Sequence, residues 1–171
     1  MQTETTKYQQ DDHSVTLINP ATQEEINTYN FDTAEEISKK LNTADEAFKN
    51  WKKLSLQERI DPIKRFAEKL EKNKNEIAKL MTTEMGKPIS QGIQEVDLCI
   101  SIVNYSIDAA PSALEPEKRK LEEGQAYVTY CPQGVILSIQ PWNFPFYQVI
   151  RYAIPNIIAG NTTLLKHAKN V

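Results

Sequence analysis

The chain contains 171 residues, of which 40% are hydrophobic and 25% are charged, and its formal net charge is −3. This length is close to that of one domain with a single core. The composition is too apolar for a disordered segment and too polar for a membrane protein. We therefore expect a folded protein that has no membrane as its partner.

Residue counts exclude several kinds of site. The two cysteines, Cys99 and Cys131, are 32 positions apart, and the chain has only two histidines. No zinc or dithiol motif can be assembled from them, so we expect no metal site. The five glycines are at least six positions apart, which excludes the Gly-rich loops of the common nucleotide-binding motifs.

Charge is distributed unevenly along the chain. All 23 acidic residues precede residue 125, and the last 47 residues carry only Arg151, Lys166 and Lys169 as charged side chains. Three separated cations are too few for a nucleic-acid-binding face. The N-terminus has neither the basic nor the apolar region of a secretion signal, which together with two unpaired cysteines predicts a cytoplasmic location.

The elements at the start of the chain are indicated by their patterns. Residues 1–13 are polar, and we expect them to be mobile. Alternating apolar and polar residues around Asn19-Pro20 predict a β-hairpin over residues 14–31. Residues 33–110 then change to the spacing of three and four that is typical of amphipathic helices.

Four helices are predicted in this section. Capping boxes of the form T-x-x-E from Thr33 and S-x-x-E from Ser55 begin the first two. Pro62 lies inside the second helix, where we expect a kink. A third helix is predicted to end at Gly86 and a fourth to end before Pro111.

The pattern changes after the helices. Residues 111–124 are charged and irregular, which predicts a surface connector. β-Branched and aromatic residues predict strands at 126–131 and 135–139, followed by a helix over 144–159 and a strand over 162–166. Strand, helix and strand in this order are typical of a right-handed parallel βαβ unit.

Two parallel strands do not form a sheet that is stable alone, because such strands need neighbours on both sides and helices on both faces. We therefore expect the chain to be the front part of a larger α/β fold. The alternative is a short mobile tail after Lys166.

The segment P-W-N-F-P from Pro141 to Pro145 is the densest cluster of unusual residues. It lies at the carboxyl end of a predicted parallel strand, where open α/β sheets bind ligands. The prolines restrict the backbone around Trp142 and Asn143. The Asn143 amide is therefore a candidate hydrogen-bond donor to an oxyanion. The alternative is that Asn143 caps the helix that begins at Phe144 and that Trp142 belongs to the core. The pattern alone leaves both open.

These segments resemble the NAD(P)-dependent aldehyde dehydrogenase superfamily. The resemblance covers nearly the whole chain, through I-N-P-A-T from Ile18, E-M-G-K-P from Glu84, P-W-N-F-P from Pro141 and A-G-N-T-x-x-x-K from Ala159. The residues from Leu165 onward and the E-M-G-K-P-I block from Glu84 are most similar to the bacterial succinate-semialdehyde dehydrogenase branch.

The resemblance implies the N-terminal part of an α/β aldehyde dehydrogenase fold, with the start of a Rossmann-like parallel sheet. Its implied parts are the hairpin of an oligomerisation extension (14–31), a helical section of the cofactor-binding domain (33–110), a connector (111–124), an oligomerisation strand (125–133) and the first βαβ unit of the NAD(P)-binding domain (134–171).

The resemblance also implies a two-step oxidation of an aldehyde, succinate semialdehyde in this branch. A cysteine thiolate adds to the aldehyde, hydride passes to NAD or NADP, and water releases the acid. Asn143 aligns with the family's oxyanion-hole amide, and Lys166 aligns with the lysine that binds the adenosine ribose. The residues that fall on the adenosine side of the cleft are Ile139, Gln140, Pro141 and Trp142. For Ile139, a place in the core of the strand is the alternative.

Two departures from the family pattern stand out. Many NAD-preferring relatives carry a Glu that repels a 2′-phosphate at the position of Lys169, so the choice between NAD and NADP stays open and Lys169 is a candidate phosphate ligand. The family's catalytic Cys and general-base Glu lie downstream of Lys166 and are absent from this sequence. We expect Cys99 and Cys131 to be inert, packed thiols, and we interpret His167 as a marker of the branch.

Two functional hypotheses follow. The first is the N-terminal fragment of an aldehyde dehydrogenase that is inactive alone, because it lacks the nucleophile, and that belongs to a homo-oligomer when complete. The second is a non-catalytic interaction module in which residues 33–110 pack as an independent helical bundle. The P-W-N-F-P segment favours the first hypothesis.

Overall fold

The computed structural model describes residues 10–11 and 13–171, so most of the predicted mobile segment 1–13 lies outside the described residues. The strands and helices are β1 (Gln10–Asp11), β2 (Ser14–Ile18), β3 (Glu25–Asn30), α1 (Ala34–Trp51), α2 (Leu56–Met85), α3 (Ile89–Ala113), β4 (Glu117–Arg119), β5 (Ala126–Val128), β6 (Val135–Ile139), α4 (Pro145–Ile158) and β7 (Thr162–Lys166).

The strands of the described residues form three small sheets. Strands β1, β2 and β3 are antiparallel, and so are β4 and β5, whereas β6 and β7 pair in parallel across α4. The predicted hairpin and the predicted parallel βαβ unit are both present. The α/β fold class predicted from the sequence is therefore confirmed.

The helical section contains three helices and not the predicted four. The segments predicted as the second and third helices form one helix of 30 residues, α2, which continues through Pro62 and ends at a left-handed Gly86. The polar run E-K-N-K-N-E from Glu71 interrupts the apolar stripe, and this interruption suggested a break. The helix continues because Lys and Glu favour helix and these side chains can face solvent; Lys74, for example, forms an ion pair with Asp97 of α3.

Helix α3 extends beyond the predicted end. It continues through Pro111 to Ala113, and the Leu114 N–H donates to the Ala110 carbonyl at 3.0 Å. Pro111 lacks an N–H, so it leaves only the carbonyl four residues earlier without its bond, and the last turn tolerates this loss. No helix of the described residues is long and apolar enough to cross a membrane.

The connector is not irregular throughout. Its charged residues 117–119 form β4, which pairs with β5 in an antiparallel hairpin, and β5 ends at Val128, three residues before the predicted end of the strand. All three β4 side chains are exposed, so no apolar alternation marks this strand in the sequence.

One core joins the helical section to the βαβ unit. Helix α4 packs against the antiparallel pair α2 and α3. The buried residues of this cluster are Ile60, Ile63 and Leu70 of α2, Cys99, Val103, Ile107 and Ala110 of α3, and Ile150, Ile154 and Ile158 of α4.

The two faces of the parallel sheet carry different helices. Alternation along β7 directs Leu165 toward α4 and Leu164 toward α1. The Thr162 hydroxyl donates to the Ala44 carbonyl of α1 at 2.9 Å. The core therefore holds α4 in place and, through it, the carboxyl edge of the sheet.

Helices α2 and α3 approach each other closely at Gly92. A Cβ added to Gly92 would lie 3.1 Å from the Cα, Cβ and carbonyl oxygen of Ala78. Two of these atoms belong to the backbone of α2 and cannot rotate away. A side chain at position 92 therefore separates the two helices.

We expect Gly92→Val to lower the free energy of unfolding by about 1–3 kcal/mol, because overpacking at this crossing outweighs the lower conformational entropy of Val in the unfolded chain. Gln94→Val is the matched control, since it adds the same side chain on the exposed side of α3. Urea unfolding of both variants measures the difference. Equal effects of the two substitutions would contradict the close approach.

Candidate functional site

The residues predicted to bind a ligand meet at the carboxyl edge of the parallel sheet. Ile139, the last residue of β6, is in register with Lys166, the last residue of β7. The Gln140 N–H donates to the Lys166 carbonyl at 3.0 Å, which continues the pairing by one residue. Since parallel strands end at the same edge, the P-W-N-F-P segment and Lys166 lie side by side.

Ile139 and Trp142 are exposed at this edge. Ile139 is 69% exposed and Trp142 is 54% exposed, whereas Ser138 is 3% exposed on the opposite face. In the described part of the chain both side chains are therefore accessible to a ligand, and their assignment to the cofactor cleft stays a prediction. Lys166 is also exposed and shares the face of Ile139, because residues in register across a parallel pair point to the same side.

Gln140 and Pro141 have different surroundings. Pro141 is exposed. The Gln140 side-chain amide turns back and donates to the Ser138 hydroxyl. Of these two residues, only Pro141 is exposed at the edge.

Asn143 does not cap the following helix. The N-cap residue of α4 is Phe144, whose side chain makes no capping hydrogen bond. The Asn143 side chain is exposed, and no residue in the described part of the chain donates to it or accepts from it. The helix-cap alternative is wrong, and the Asn143 amide is free to bind a ligand.

The N-terminus of α4 is instead capped by Glu95 from α3. One carboxylate oxygen of Glu95 accepts hydrogen bonds from the Phe146 and Tyr147 N–H groups, both at 2.9 Å. These N–H groups have no partner within the helix, and the helix dipole favours a negative charge at this position. Glu95 is only 2% exposed, so this cap lies inside the protein.

Lys87 neutralises the buried carboxylate. Its ammonium forms an ion pair with the other oxygen of Glu95, lies 4.0 Å from the centroid of the Phe144 ring, and donates to the Asn143 carbonyl at 3.4 Å. A buried ion pair is stable when its remaining hydrogen-bonding groups are satisfied, as they are here.

The sequence analysis assigned no role to either residue of this pair. For Glu95 a signal exists, because it lies on the apolar stripe of α3 with Gly92, Val96 and Cys99. A charged residue on a buried face needs a partner. For Lys87 the only signal is its place in the E-M-G-K-P block, which does not identify its contacts.

The C-terminus of α4 is held from the helical section as well. The Trp51 indole N–H donates to the Ile157 carbonyl at 2.8 Å, and Arg59 Nε donates to the Ile158 carbonyl at 2.9 Å. These carbonyls lie in the last turn of the helix, and the Ile157 carbonyl also accepts from the Gly160 N–H at 3.0 Å. Side chains from outside α4 therefore satisfy both of its ends.

His167 joins the end of β7 to the start of α4. The Ala168 N–H donates to His167 Nδ1 at 2.8 Å, so Nδ1 carries no proton. Nε2 therefore carries the proton and donates to the Pro145 carbonyl at 2.8 Å. Both ring nitrogens are engaged in the structure, which gives His167 a structural role beyond that of a sequence marker.

Lys169 reaches the segment that leads into α1. Its ammonium lies 5.3 Å from the centroid of the Phe31 ring, within the range of a cation–π contact. This contact places Lys169 close to the N-terminus of α1. Helix α1 covers the face of the sheet on which Lys166 lies.

The two cysteines differ in environment. Cys99 is fully buried, and burial together with the nearby charge of Glu95 raises the pKa of its thiol to about 12. Cys131 is exposed, so the prediction of a packed thiol is wrong for this residue. Cys131 precedes β6 and Asn143 follows it. The two residues therefore lie beyond opposite ends of this five-residue strand. Neither thiol is placed to act with the Asn143 amide.

A cavity of about 280 Å³ lies between the end of α2, the start of α4 and the end of β7. Its lining is apolar apart from Glu84 and His167. Burial raises the pKa of the Glu84 carboxyl above its usual value. Glu84 also lies in the last turn of α2, where the helix dipole disfavours a negative charge.

Comparison with known proteins gives a second line of support for the family. The model of the aldehyde dehydrogenase family matches residues 7–171. The chain is 41% identical over 152 residues to a succinate-semialdehyde dehydrogenase (NADP(+)) of Deinococcus radiodurans, an alignment that covers 89% of this chain and 32% of that protein. It is 38% identical over 154 residues to a succinate semialdehyde dehydrogenase (NAD(P)+) of Escherichia coli, which covers 90% and 33%.

A solved structure gives the same result. Succinic semialdehyde dehydrogenase from Streptococcus pyogenes, in complex with NADP+ as the cofactor, matches with a TM-score of 0.87 and 36% identity over 91% of this chain and 34% of that chain. The chain spans about a third of the length of the curated relatives it matches. The resemblance predicted from the sequence motifs is confirmed.

We expect iodoacetamide at pH 8 to label Cys131 and not Cys99 in the folded chain. With a pKa of about 12, only about one Cys99 thiol in ten thousand is ionised at this pH, and the side chain is buried. Mass spectrometry of peptides after a timed reaction measures both sites, and the same reaction in urea is the control in which both are labelled. Equal labelling rates in the folded chain would contradict the burial of Cys99.

We expect Glu84→Gln to raise the melting temperature at pH 7. Burial disfavours the ionised carboxyl in the folded chain, and the neutral amide removes this destabilisation. The gain disappears below about pH 4.5, the ordinary pKa of the group, because the carboxyl is then protonated in both the folded and the unfolded chain. Glu76→Gln, at an exposed position of the same helix, is the control. A gain that stays constant from pH 7 to pH 4 would show that charge burial is not its cause.

Proposed function

Because the chain belongs to the aldehyde dehydrogenase family, we propose that it forms the dinucleotide-binding N-terminal part of an enzyme that oxidises succinate semialdehyde to the carboxylic acid with NADP or NAD. The observation that carries this proposal is the carboxyl edge of the parallel sheet. There the free amide of Asn143 lies beside exposed Trp142, Ile139 and Lys166.

The residues at this edge fit the chemistry of a dinucleotide. Ile139 and Trp142 offer exposed apolar and aromatic surface for an adenosine ring, and ligand sites combine such surface with a few polar groups. The Lys166 ammonium carries three donors for the ribose hydroxyls. The bound dinucleotide supplies the acceptor for the hydride of the aldehyde.

Asn143 donates to the aldehyde oxygen in this proposal. As a nucleophile adds to the carbonyl carbon, negative charge develops on the oxygen, and a donor held in place stabilises that charge. Removal of one such donor lowers kcat by about 100-fold to 1000-fold in other enzymes. The Asn143 amide is suited to this role because no neighbour in the described residues occupies it.

Lys169 favours NADP in this proposal. An ammonium three residues after Lys166 attracts a 2′-phosphate, whereas a carboxylate there repels it. The names of the Deinococcus radiodurans and Streptococcus pyogenes relatives, both of which include NADP, support the same preference. The E. coli relative is named for NAD(P)+, so NAD remains a second cofactor.

The alternative of an independent helical module is less well supported. The core of the helical section includes Ile150, Ile154 and Ile158 of α4, which lie outside residues 33–110. A bundle of α1, α2 and α3 alone exposes the apolar surface that these three side chains cover.

Further parts of the proposal concern the complete enzyme. We propose that it is a cytoplasmic homo-oligomer in which the β4–β5 hairpin pairs across subunits. Tyr127, Val128 and Tyr130 offer exposed apolar side chains for such pairing, and free thiols are typical of a reducing compartment. The 171-residue polypeptide alone is inactive in this proposal, because neither Cys99 nor Cys131 lies where it can attack an aldehyde beside Asn143.

We expect the chain to bind NADP+ and Lys166→Met to weaken that binding at least tenfold, which corresponds to about 1.4 kcal/mol. The reason is the loss of the donors to the ribose. Isothermal titration calorimetry measures the dissociation constants, and Lys79→Met, an exposed lysine of α2, is the charge-matched control. Failure of the unmodified chain to bind either dinucleotide contradicts the proposal, as does an equal loss in the control.

The same titrations test the preference for NADP. Lys169→Glu reverses the charge next to the proposed 2′-phosphate and is expected to weaken NADP+ binding more than NAD+ binding. An equal change for both dinucleotides would remove Lys169 from the proposed site and leave Lys166 in it.

A further inference from the structure

We propose that Lys87 and Glu95 are the positioning residues of Asn143. This inference rests on the proposed function, because it concerns the amide that donates to the aldehyde oxygen. The pair itself contacts neither the Asn143 side chain nor the exposed face of the sheet. It acts through the main chain of residues 143–147.

The direction of the Asn143 side chain depends on its main chain. An exposed amide without partners in the described residues receives no direction from hydrogen bonds of its own. The backbone that carries it is held at two points on either side of Pro145. Lys87 donates to the Asn143 carbonyl, and Glu95 accepts from the Phe146 and Tyr147 N–H groups.

Both residues stand on rigid elements. Lys87 directly follows the left-handed Gly86 that ends α2, and Glu95 lies in the second turn of α3. Lys87 is 7% exposed and Glu95 is 2% exposed. Since the ion pair joins them, the turn at Asn143 is anchored to the packed helices α2 and α3.

The ring of Phe144 completes the arrangement. It lies over the Lys87 ammonium at 4.0 Å and contacts the Tyr147 ring edge to face, with centroids 5.9 Å apart. The residue that follows Asn143 is thereby tied to the same cation as the Asn143 carbonyl. Rotation of the turn requires that the carbonyl contact and the ring contact break together.

The test compares positioning with a purely structural role. The double variant Lys87→Met/Glu95→Gln removes both charges together, so that no unpaired charge remains buried, and it keeps side chains of similar length. Asp97→Asn is the matched control, because it removes a carboxylate and an ion pair with Lys74 from the same helix α3. Lys87→Arg keeps the cation and serves as the conservative variant.

Four measurements on the 171-residue chain separate the outcomes. Backbone ¹⁵N relaxation reports the order of Trp142, Asn143 and Phe144 without nucleotide. Hydrogen exchange reports the Phe146 and Tyr147 amides relative to the Ile154 amide in the same helix. Calorimetry with NADP+ reports binding, and the melting temperature reports global stability.

We expect order parameters near 0.85 at residues 142–144 in the unmodified chain and below about 0.6 in the double variant, as for a flexible segment. Exchange at Phe146 and Tyr147 is expected to rise at least tenfold while exchange at Ile154 changes less than threefold. Lys87→Arg is expected to keep the order of the unmodified chain, and Asp97→Asn to leave it unchanged.

Several results would overturn the inference. One is a double variant that melts at a lower temperature while residues 142–144 stay ordered, since this is the signature of a purely structural pair. Another is a turn that is already mobile in the unmodified chain. An ordered turn that loosens as expected, in a chain that binds no dinucleotide, supports the positioning geometry and contradicts the proposed function, so the two failures are distinguishable.

Discussion

The hydrogen bonds from the first N–H groups of α4 to the Glu95 carboxylate determine how the rest of the protein is arranged. A helix that begins inside a protein must have its free N–H groups satisfied, and the N-cap residue Phe144 provides no side chain that does so. The Glu95 carboxylate of α3 accepts these hydrogen bonds inside the protein, and the buried Lys87 ammonium balances its charge. The contact fixes where the chain turns from the sheet into α4.

Helix α4 consequently connects the helical section rigidly to the parallel sheet. Glu95 holds its beginning, Trp51 and Arg59 hold its end, and its apolar side chains complete the core of α2 and α3. The parallel strands β6 and β7, which precede and follow α4 in the chain, are held in place through it. A binding edge that is built from strand ends needs such support, because the exposed side chains at the edge make few contacts of their own.

The sequence predicted the parts of this arrangement that depend on local patterns. Both capping boxes, the Gly86 stop and the parallel βαβ unit follow from short-range spacing, and the structure contains each of them. The continuity of α2 through residues 71–76 was not predictable in the same way, because solvent-facing Lys and Glu residues continue a helix without an apolar signal. The contacts of Lys87 with Asn143 join residues 56 positions apart, and no local pattern reports such a distance. Motif resemblance identified the edge residues, but only the three-dimensional structure shows that Asn143 is free and that Glu95 caps the helix in its place.

The burial of the Lys87–Glu95 pair constrains how this sequence can change over evolutionary time. Loss of either partner leaves a lone charge inside the protein, at a cost of about 3–5 kcal/mol, which is comparable to the whole stability of many domains. Replacement of both residues together avoids this loss of stability, so substitutions at the two positions are expected to occur together. A lineage that abandons the lysine must replace the glutamate nearly simultaneously or find another cap for α4.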